Sequence, residues 1–450
     1  MKKNKGISEH EKFVKEQNEW CFLPNKQKIR YNSIILLELF QLEDFDKLIQ
    51  GLDILYEELR PHQDSRLDYR KILENSKSSL FKRNTLNFPY ISDLRFKGKI
   101  LPDAVFYQLG DYIRHLHIKL YQILPSAVVL QIQVYIDEEA STRINDVIYS
   151  YHKEVKEPII TPKGKFTKIY GPTNLKEKEI HSLKDEIKNQ AITFLSKFFR
   201  GYFFKLNEKY DSIIPSIDLF SLEYPISDKE ILKWGLENSS FFQCFKTDIN
   251  GYISFKYNQY LFCQDNYENF HNYLIFANRK ISKSEMYSSI DANIEETLNF
   301  CCFDLLAIDR LLEVQERLAG EFNSKISKEI SDLNKNKLKN VLNNRKEIYK
   351  EIFYFERFKV EFKNYHPIPD KFSFESLGEK KSKLFDNLSN NIKRKISDIS
   401  DILNIFNQNS ESILRLKNIE YAKKMQDWVM CLTILIIILT LTQIFLAFRN

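Results

Sequence analysis

The chain has 450 residues, of which 43% are apolar and 14% are aromatic, so it can bury a sizeable core and is not a disordered chain. Its 67 Lys and Arg residues against 61 Asp and Glu residues leave a net charge of +6, which over this length is too weak to predict a nucleic-acid partner. The six cysteines include no Cys-x-x-Cys pair. This pattern indicates reduced structural thiols rather than a disulfide framework or a zinc site.

Residues 1–125 are predicted to form a mainly helical region. Residues 33–59 show a helical period with a broad apolar face, and a second amphipathic helix is predicted after Pro102. The apolar positions of this second helix recur three or four residues apart and are Val105, Phe106, Leu109, Ile113, Leu116 and Leu120. His115 and His117 would point to different sides of that helix, so we expect exposed histidines and not metal ligands.

Residues 126–290 are predicted to form an α/β domain of sensor type. Apolar residues alternate with polar ones over one stretch, at Leu130, Ile132, Val134 and Ile136. This two-residue period predicts a strand with one buried face, and Asp137 then begins a helix. Residues 217–236 repeat the order, because a strand-like run is followed by Ser227 and Glu230 at the spacing of a capping box.

Hairpins and a further strand complete this domain. Residues 157–173 are predicted to form a hairpin, residues 248–251 the turn of a second one, and residues 273–277 a strand. The first hairpin carries basic and aromatic side chains that suit an anionic ligand, and the candidate binding residues are Lys163, Lys165, Lys168 and Tyr170. The alternative is a solvated surface, since Gly164 and Lys165 lack the spacing of a phosphate-binding loop.

The remainder of the chain is predicted to be helical. Residues 291–370 have the pattern of a long helical hairpin that stops at the breaker His-Pro-Ile-Pro-Asp, residues 366–370. Residues 380–427 then form a stalk helix with apolar positions at alternating steps of three and four, the spacing of a coiled coil. The predicted oligomer seam consists of Ile399, Ile402, Phe406, Asn409, Ile413 and Leu416.

The stalk is predicted to continue without a break into the apolar segment that follows it. From about Lys383 to Phe448 one helix would be on the order of 100 Å long at a rise of 1.5 Å per residue. Such a helix cannot bury its seam against itself. The partners are either the two preceding helices or further copies of the chain around a symmetry axis, and these alternatives are compatible. A polar Asn409 within the seam would fix register or copy number.

Residues 428–448 are predicted to form one transmembrane helix. The segment from Val429 to Phe448 carries no charge and is long enough to span the hydrocarbon layer of about 30 Å. Four cations precede the span, namely Arg415, Lys417, Lys423 and Lys424, whereas Arg449 alone follows it. The positive-inside rule therefore predicts an inner-membrane protein with a cytosolic body and an external carboxyl terminus.

A stripe of polar residues runs along this apolar span. Thr433, Thr440 and Gln443 lie within about 80° of one another on a helix of about 100° per residue. If several copies pack around an axis, the stripe would line a narrow polar path. The alternatives are hydrogen bonds between helices, or threonine hydroxyls bonded to their own backbone.

The sequence offers no catalytic signature. Serine-hydrolase, His-Glu-x-x-His and paired-carboxylate patterns do not occur in a convincing setting. We therefore expect a protein that is not an enzyme and that needs neither a cofactor nor a metal.

The order of these elements resembles that of the CorA-like divalent-cation channels. An α/β region, a pair of long helices and a stalk helix running into the membrane occur here over residues 130 to 448. In that family the stalk helix lines the pore, and a Gly-Met-Asn motif and a second span follow; here Phe448 is followed by Arg449 and Asn450. The resemblance implies a ring of stalk helices, without the motif for selective magnesium transport. Divergent members act as membrane effectors of bacterial antiviral systems, which implies by analogy a sensor that controls a leak.

Two hypotheses follow from this sequence. The first is a homo-oligomeric pore in the bilayer whose cytosolic domain binds a signal, for example a small anionic ligand, and transmits it along the stalk. The second is a non-conducting, tail-anchored scaffold or tether whose membrane segment only places the α/β domain at the inner face of the bilayer.

Overall fold

The computed structural model describes residues 8–59, 86–88, 91–96, 105–161, 164–207, 209–210, 213–227, 230, 234, 255–257, 260–265, 272–278, 303–331, 338–365, 375–376 and 383–449. The helices in these ranges are α1 (Glu9–Trp20), α2 (Phe45–Leu59), α3 (Glu138–Tyr149), α4 (Pro172–Leu195), α5 (Tyr202–Asn207), α6 (Phe303–Ser331), α7 (Leu338–Lys363) and α8 (Leu384–Arg449). The strands are β1 (Ile29–Gln41), β2 (Leu86–Asn87), β3 (Ile91–Asp93), β4 (Val105–Tyr107), β5 (Ile113–Leu124), β6 (Ala127–Ile136), β7 (Val155–Thr161), β8 (Gly164–Tyr170), β9 (Ser216–Leu222), β10 (Phe255–Tyr257), β11 (Tyr260–Asp265), β12 (Asn272–Ala277) and β13 (Glu375–Ser376).

The chain divides into two units. The first unit comprises residues 1–311 and 365–392, and the second comprises residues 312–364 and 393–450. The first unit is an α/β domain built on a mixed sheet. The second is helical, and its buried apolar residues come from α6, α7 and α8, as at Leu312, Phe355 and Phe406.

An eleven-stranded mixed sheet forms the centre of the first unit. Its strand order is β13-β10-β11-β12-β9-β1-β6-β5-β3-β4, with β2 paired to β5. The pairs β9–β12 and β3–β4 are parallel, and the other pairs are antiparallel. Strands β7 and β8 form a separate two-stranded ribbon.

The central strands are buried on both faces. Every residue of β6 is buried, and β1 is buried from Tyr31 to Phe40. Their Ile, Leu and Val side chains suit a pleated surface that packs on both sides. One of these faces also carries Glu38 and Asp218, which contact α5 and α4 respectively.

Helix α3 completes the hydrogen bonding of β1 where β6 no longer reaches it. The pairing of β1 with β6 begins at Ser33, so the preceding backbone groups need other partners. Asn145 accepts from the Ile29 N–H at 3.0 Å and donates to its carbonyl at 2.7 Å. The Ser141 hydroxyl accepts from the Tyr31 N–H at 3.0 Å. These two side chains of α3 therefore take the place of a neighbouring strand for the first residues of β1.

The structure corrects the prediction of a mainly helical region over residues 1–125. Residues 33–41 belong to β1, and only residues 45–59 form a helix. The helix predicted after Pro102 is wrong, because residues 113–124 form strand β5. The predicted domain boundary at residue 125 is also wrong, since it falls in the turn of the paired hairpin β5–β6.

Several other predictions in this unit are confirmed. Strand β6 ends at Ile136, and Asp137 is the N-cap of α3, its carboxylate accepting from the Glu138 N–H. Strand β12 covers residues 273–277, and the capping-box hydrogen bonds between Ser227 and Glu230 are present. The prediction of a single buried face for β6 is wrong, because both of its faces are covered.

One of the two predicted hairpins is confirmed. Strands β7 and β8 pair from Val155↔Tyr170 to Thr161↔Gly164, which confirms the first. The turn predicted at residues 248–251 lies outside the described residues. The neighbouring hairpin joins β10 to β11, with Tyr257 opposite Tyr260.

The carboxyl-terminal part contains the predicted long helices. Helix α7 ends at Lys363, before the breaker at residues 366–370. Helix α8 has 66 residues without interruption, and at 1.5 Å per residue it is about 100 Å long. This confirms the prediction that the stalk and the apolar segment form one continuous helix.

Candidate functional site

The final third of α8 is the first candidate site. Among the described residues, α8 is the one helix long and apolar enough to cross a membrane, and none of its apolar window is buried in the chain. Large apolar side chains are exposed along it, as at Trp428, Ile436 and Leu441. Because a surface of this size is unfavourable in water, the helix indicates membrane association.

The polar stripe has a local explanation in the single chain. The Thr433 hydroxyl donates to the Val429 carbonyl, and the Thr440 hydroxyl donates to the Ile436 carbonyl, each at 2.8 Å. Thr442, on another side of the helix, makes the same kind of bond. The structure therefore realises the backbone-bonded alternative for both threonines, while Gln443 is exposed.

The predicted oligomer seam is buried at its start and exposed further on. Ile399 and Phe406 are each 1% exposed, whereas Leu416 is 51% exposed. Ile402 and Asn409 are half-buried, and the side chain of Ile413 lies outside the described set. The chain therefore buries the early seam, and Leu416 in the later seam is exposed apolar surface.

The basic hairpin keeps only part of the predicted ligand set together. Lys168 and Tyr170 share a face of the ribbon, with the ammonium 4.7 Å from the centre of the tyrosine ring. Lys165 is three residues from Lys168 along β8, and an odd spacing places side chains on opposite faces of a strand. Both lysines are exposed. Lys163 lies outside the described residues.

No protein-family model matches this chain, and no curated protein is significantly similar to it.

The histidine prediction is wrong in both element and exposure. His115 and His117 lie on β5, point to the same face of the sheet and are buried. The Ser92 hydroxyl oxygen lies 2.8 Å from His115 Nδ1. Burial lowers the pKa of each imidazole to about 3, so both are neutral at physiological pH. Among the described residues no group of three or more His, Cys, Asp or Glu side chains is placed to hold a metal ion.

A buried carboxylate on β1 is a feature that the sequence analysis missed. Glu38 accepts hydrogen bonds from the backbone N–H groups of Leu39, Phe203 and Phe204 at 2.7, 2.8 and 2.7 Å. Burial raises its pKa to about 8, against the effect of these three donors. A Cβ atom on Gly201 would lie 2.5 Å from Glu38 Oε1 and 2.6 Å from the Leu39 carbonyl. Glycine is therefore required beside this carboxylate.

A buried ion pair joins α4 to the same sheet face. Lys184 Nζ lies 2.7 Å from Asp218 Oδ2, and the Tyr31 hydroxyl donates to Asp218 Oδ1 at 2.6 Å. The Tyr31 ring stacks on Phe220 with ring centres 4.4 Å apart. The polar contacts fix where α4 lies on the sheet, because an unpaired buried charge is costly. Asp218 stands within an apolar strand pattern, and this interruption is the sequence signal that could have revealed the pair.

A cavity of about 350 Å³ lies beside α3, at the ends of β1 and β9. Its charged lining residues are Lys28, Arg30, Glu138, Asp146 and Glu223. Arg30 and Glu138 pair across it, with Nη2 and Oε1 3.4 Å apart. Because both signs of charge line the cavity, it favours no single class of charged ligand.

Proposed function

We propose that this protein is a homo-oligomeric, single-pass membrane protein whose carboxyl-terminal helices form a pore that the first unit controls. One observation carries the proposal. The seam of α8 is buried at Ile399 and Phe406, whereas its later residue Leu416 and the neighbouring Ile419 are exposed ahead of the apolar membrane segment.

The physical reason lies in the stretch of α8 between the second unit and the span. Leu416 and Ile419, which lie about 60° apart around the helix, are more than half exposed, yet they precede the uncharged segment and would lie in water. Burial of an exposed Leu or Ile side chain is worth about 1.5–3 kcal/mol. Association of several copies along the seam supplies that burial. The same bundle then crosses the lipid as a unit.

The remaining features of the proposal rest on charge and resemblance. The cations before the span favour a cytosolic body at the bacterial inner membrane. The arrangement would be a CorA-like ring, and its leak would serve antiviral defence. The controlling signal would be a small anionic ligand, for which Lys168 beside Tyr170 offers a cation and an aromatic face.

A membrane-anchored tether without conduction is the second candidate. The hydrogen bonds of Thr433 and Thr440 to their own helix carbonyls favour it. Each hydroxyl is already satisfied, so these threonines do not need a water-filled path or a second helix.

Two threonine variants separate the candidates. Thr440→Leu and Thr442→Leu each remove a hydroxyl and the same kind of backbone bond, but the two positions lie about 160° apart around the helix. If the stripe lines a pore, Thr440→Leu abolishes dye leakage from liposomes that contain the full chain, and Thr442→Leu preserves it. Equal leakage from both variants would reject the stripe as the pore lining, and no leakage from the oligomeric wild type would favour the tether.

An exchange of the membrane segment provides a second test. Residues 429–448 are replaced by an unrelated single-span sequence of the same length, and depolarisation of cells that express the chain is followed. If the span forms a pore, the wild type depolarises the cells and the chimera does not, whereas a non-conducting tether depolarises them in neither form. Mass measurement in detergent establishes the copy number of both proteins, and a monomeric wild type would contradict the proposed oligomer.

A further inference from the structure

Arg310 connects the start of α6 to the sheet through hydrogen bonds. Arg310 is 2% exposed. Its guanidinium donates to the Ile213 carbonyl at 3.0 Å and to Asn272 Oδ1 at 3.2 Å. The same Asn272 oxygen accepts from the Ser216 N–H at 3.2 Å. Arg310 therefore holds Asn272 at the start of β12, and Asn272 in turn bonds to Ser216 at the start of β9.

The neighbouring polar residues of α6 hold two other segments. Asn391 of α8 donates from Nδ2 to Asp309 Oδ1 at 2.9 Å. The Tyr365 hydroxyl, just after α7, donates to Asp304 Oδ2 at 2.8 Å. Asp309 is 4% exposed. A hydrogen bond to a charged group in such an environment is stronger and more demanding in geometry than one in water.

These contacts lie at the places where the chain passes from one unit to the other. The passages fall after Leu311, before Tyr365 and after Ile392. Arg310 and Asn391 each precede a passage by one residue, and Tyr365 follows one. All of these contacts lie inside the first unit, so they connect its sheet to the chain segments that leave it.

We infer that Asn272, Arg310, Asp309 and Asn391 form a relay. It couples the adjoining starts of β9 and β12 to the start of α8. A displacement of Asn272 alters its hydrogen bond with Arg310. Because Asp309 is the adjacent residue of α6, its hydrogen bond with Asn391 of α8 is then altered as well. The inference deepens the proposed function and rests on it in one respect, since it names the route by which the first unit would control the pore. The relay can be tested by hydrogen exchange, whether or not the protein conducts ions.

A reversal of the hydrogen-bond polarity tests the relay. Asn391→Asp places a second carboxylate against Asp309, and the double variant Asp309→Asn, Asn391→Asp restores one amide and one carboxylate in exchanged positions. Asn390→Asp adds the same charge at the exposed neighbouring position and is the matched control. Hydrogen exchange of the full chain in detergent is measured on two segments, residues 384–392 of α8 and residues 272–277 of β12.

Asn391→Asp is expected to accelerate exchange in both segments by about tenfold or more, as for loss of a hydrogen bond to a charged group. The double variant returns both segments to near the wild-type rate, and Asn390→Asp leaves both unchanged. Should Asn391→Asp fail to fold, Asn391→Leu, which removes the bond without adding charge, takes its place and is compared with Asn390→Leu.

Two results would overturn the relay. In the first, α8 exchanges faster and β12 does not, so the contact is a local clamp. In the second, the polarity exchange fails to restore either segment, so the two side chains do not act through their mutual bond. Leakage from liposomes is recorded in parallel: a wild type that leaks nothing rejects the pore, whereas the exchange rates still decide the relay.

Discussion

Glu38 makes the stability of the first unit depend on pH in a predictable direction. Burial raises the pKa of its carboxyl from 4.5 to about 8. Between these values the folded protein holds a proton that the unfolded chain has released. The free energy of unfolding attributable to Glu38 is therefore greatest below pH 4.5 and falls as the pH rises towards 8. Glu38→Gln removes this titration.

The size of the effect follows from the two pKa values. The free energy of unfolding changes by about 1.4 kcal/mol for each pH unit over which one state holds one more proton. From pH 6.5 to 8.5 the loss is about 2 kcal/mol, because titration of the native state flattens near pH 8. The buried histidines have folded pKa values of about 3 and contribute mainly below pH 6.5.

Urea unfolding of the full chain in a non-ionic detergent measures this quantity at pH 6.5 and 8.5. Wild type is expected to lose about 2 kcal/mol more than Glu38→Gln between the two conditions. The glutamine also leaves the Phe204 N–H without its carboxylate acceptor, which lowers stability by about 1–3 kcal/mol at both pH values. Glu139→Gln, an exposed position on α3, controls for the loss of a carboxylate and should follow wild type.

The same pH dependence of unfolding in wild type and Glu38→Gln would contradict the predicted titration of Glu38. That outcome would mean that the three N–H donors outweigh burial and keep the carboxylate ionised throughout the range.

Two further predictions concern packing and charge. Phe406→Ala should lower the free energy of unfolding by about 3–5 kcal/mol, because loss of its buried ring would leave a cavity. Leu416→Ala should leave urea unfolding of the protomer unchanged but reduce the oligomer mass measured in detergent. An unaltered mass would contradict a seam at Leu416. Lys184→Met should lower the free energy of unfolding by about 3–5 kcal/mol, because it leaves the buried Asp218 carboxylate without its cation, and adding Asp218→Asn should recover much of that loss. Lys424→Met, which removes an exposed ion pair within α8, should have little effect. An equal loss from both lysine variants would refute the distinction between the buried and the exposed pair.

The errors in the amino-terminal region have a common physical cause. Strand β1 is buried on both faces, so Ile34 to Leu37 give a continuous apolar run whose period does not distinguish a strand from a helix. Strand β5 did carry a usable signal, since Leu116, Ile118 and Leu120 alternate with polar residues. Helical spacing of three and four residues fits part of the same stretch. Pairing with β6, a contact made in the folded chain, decides between the two.

The partners of Glu38 and Asp309 could not be predicted from the sequence, for a different reason. Glu38 is held by backbone donors 165 and 166 residues away along the chain, and Asp309 meets Asn391 at a separation of 82 residues. No local pattern marks such pairs. Their partners are brought together by the sheet and by the return of the chain to the first unit, so the folded structure alone reveals them.

Local composition by itself determined the long carboxyl-terminal helix and its apolar segment, because helix period, missing breakers and an uncharged run of side chains act over neighbouring residues. It also determined β6, α3 and the hairpin β7–β8, where alternation, capping and turn residues coincide. Tertiary structure decided which apolar runs became strands, where Glu38 and Asp218 found their partners and how far the seam of α8 is covered. These outcomes depend on contacts between distant residues, whose free energy no short stretch of sequence contains.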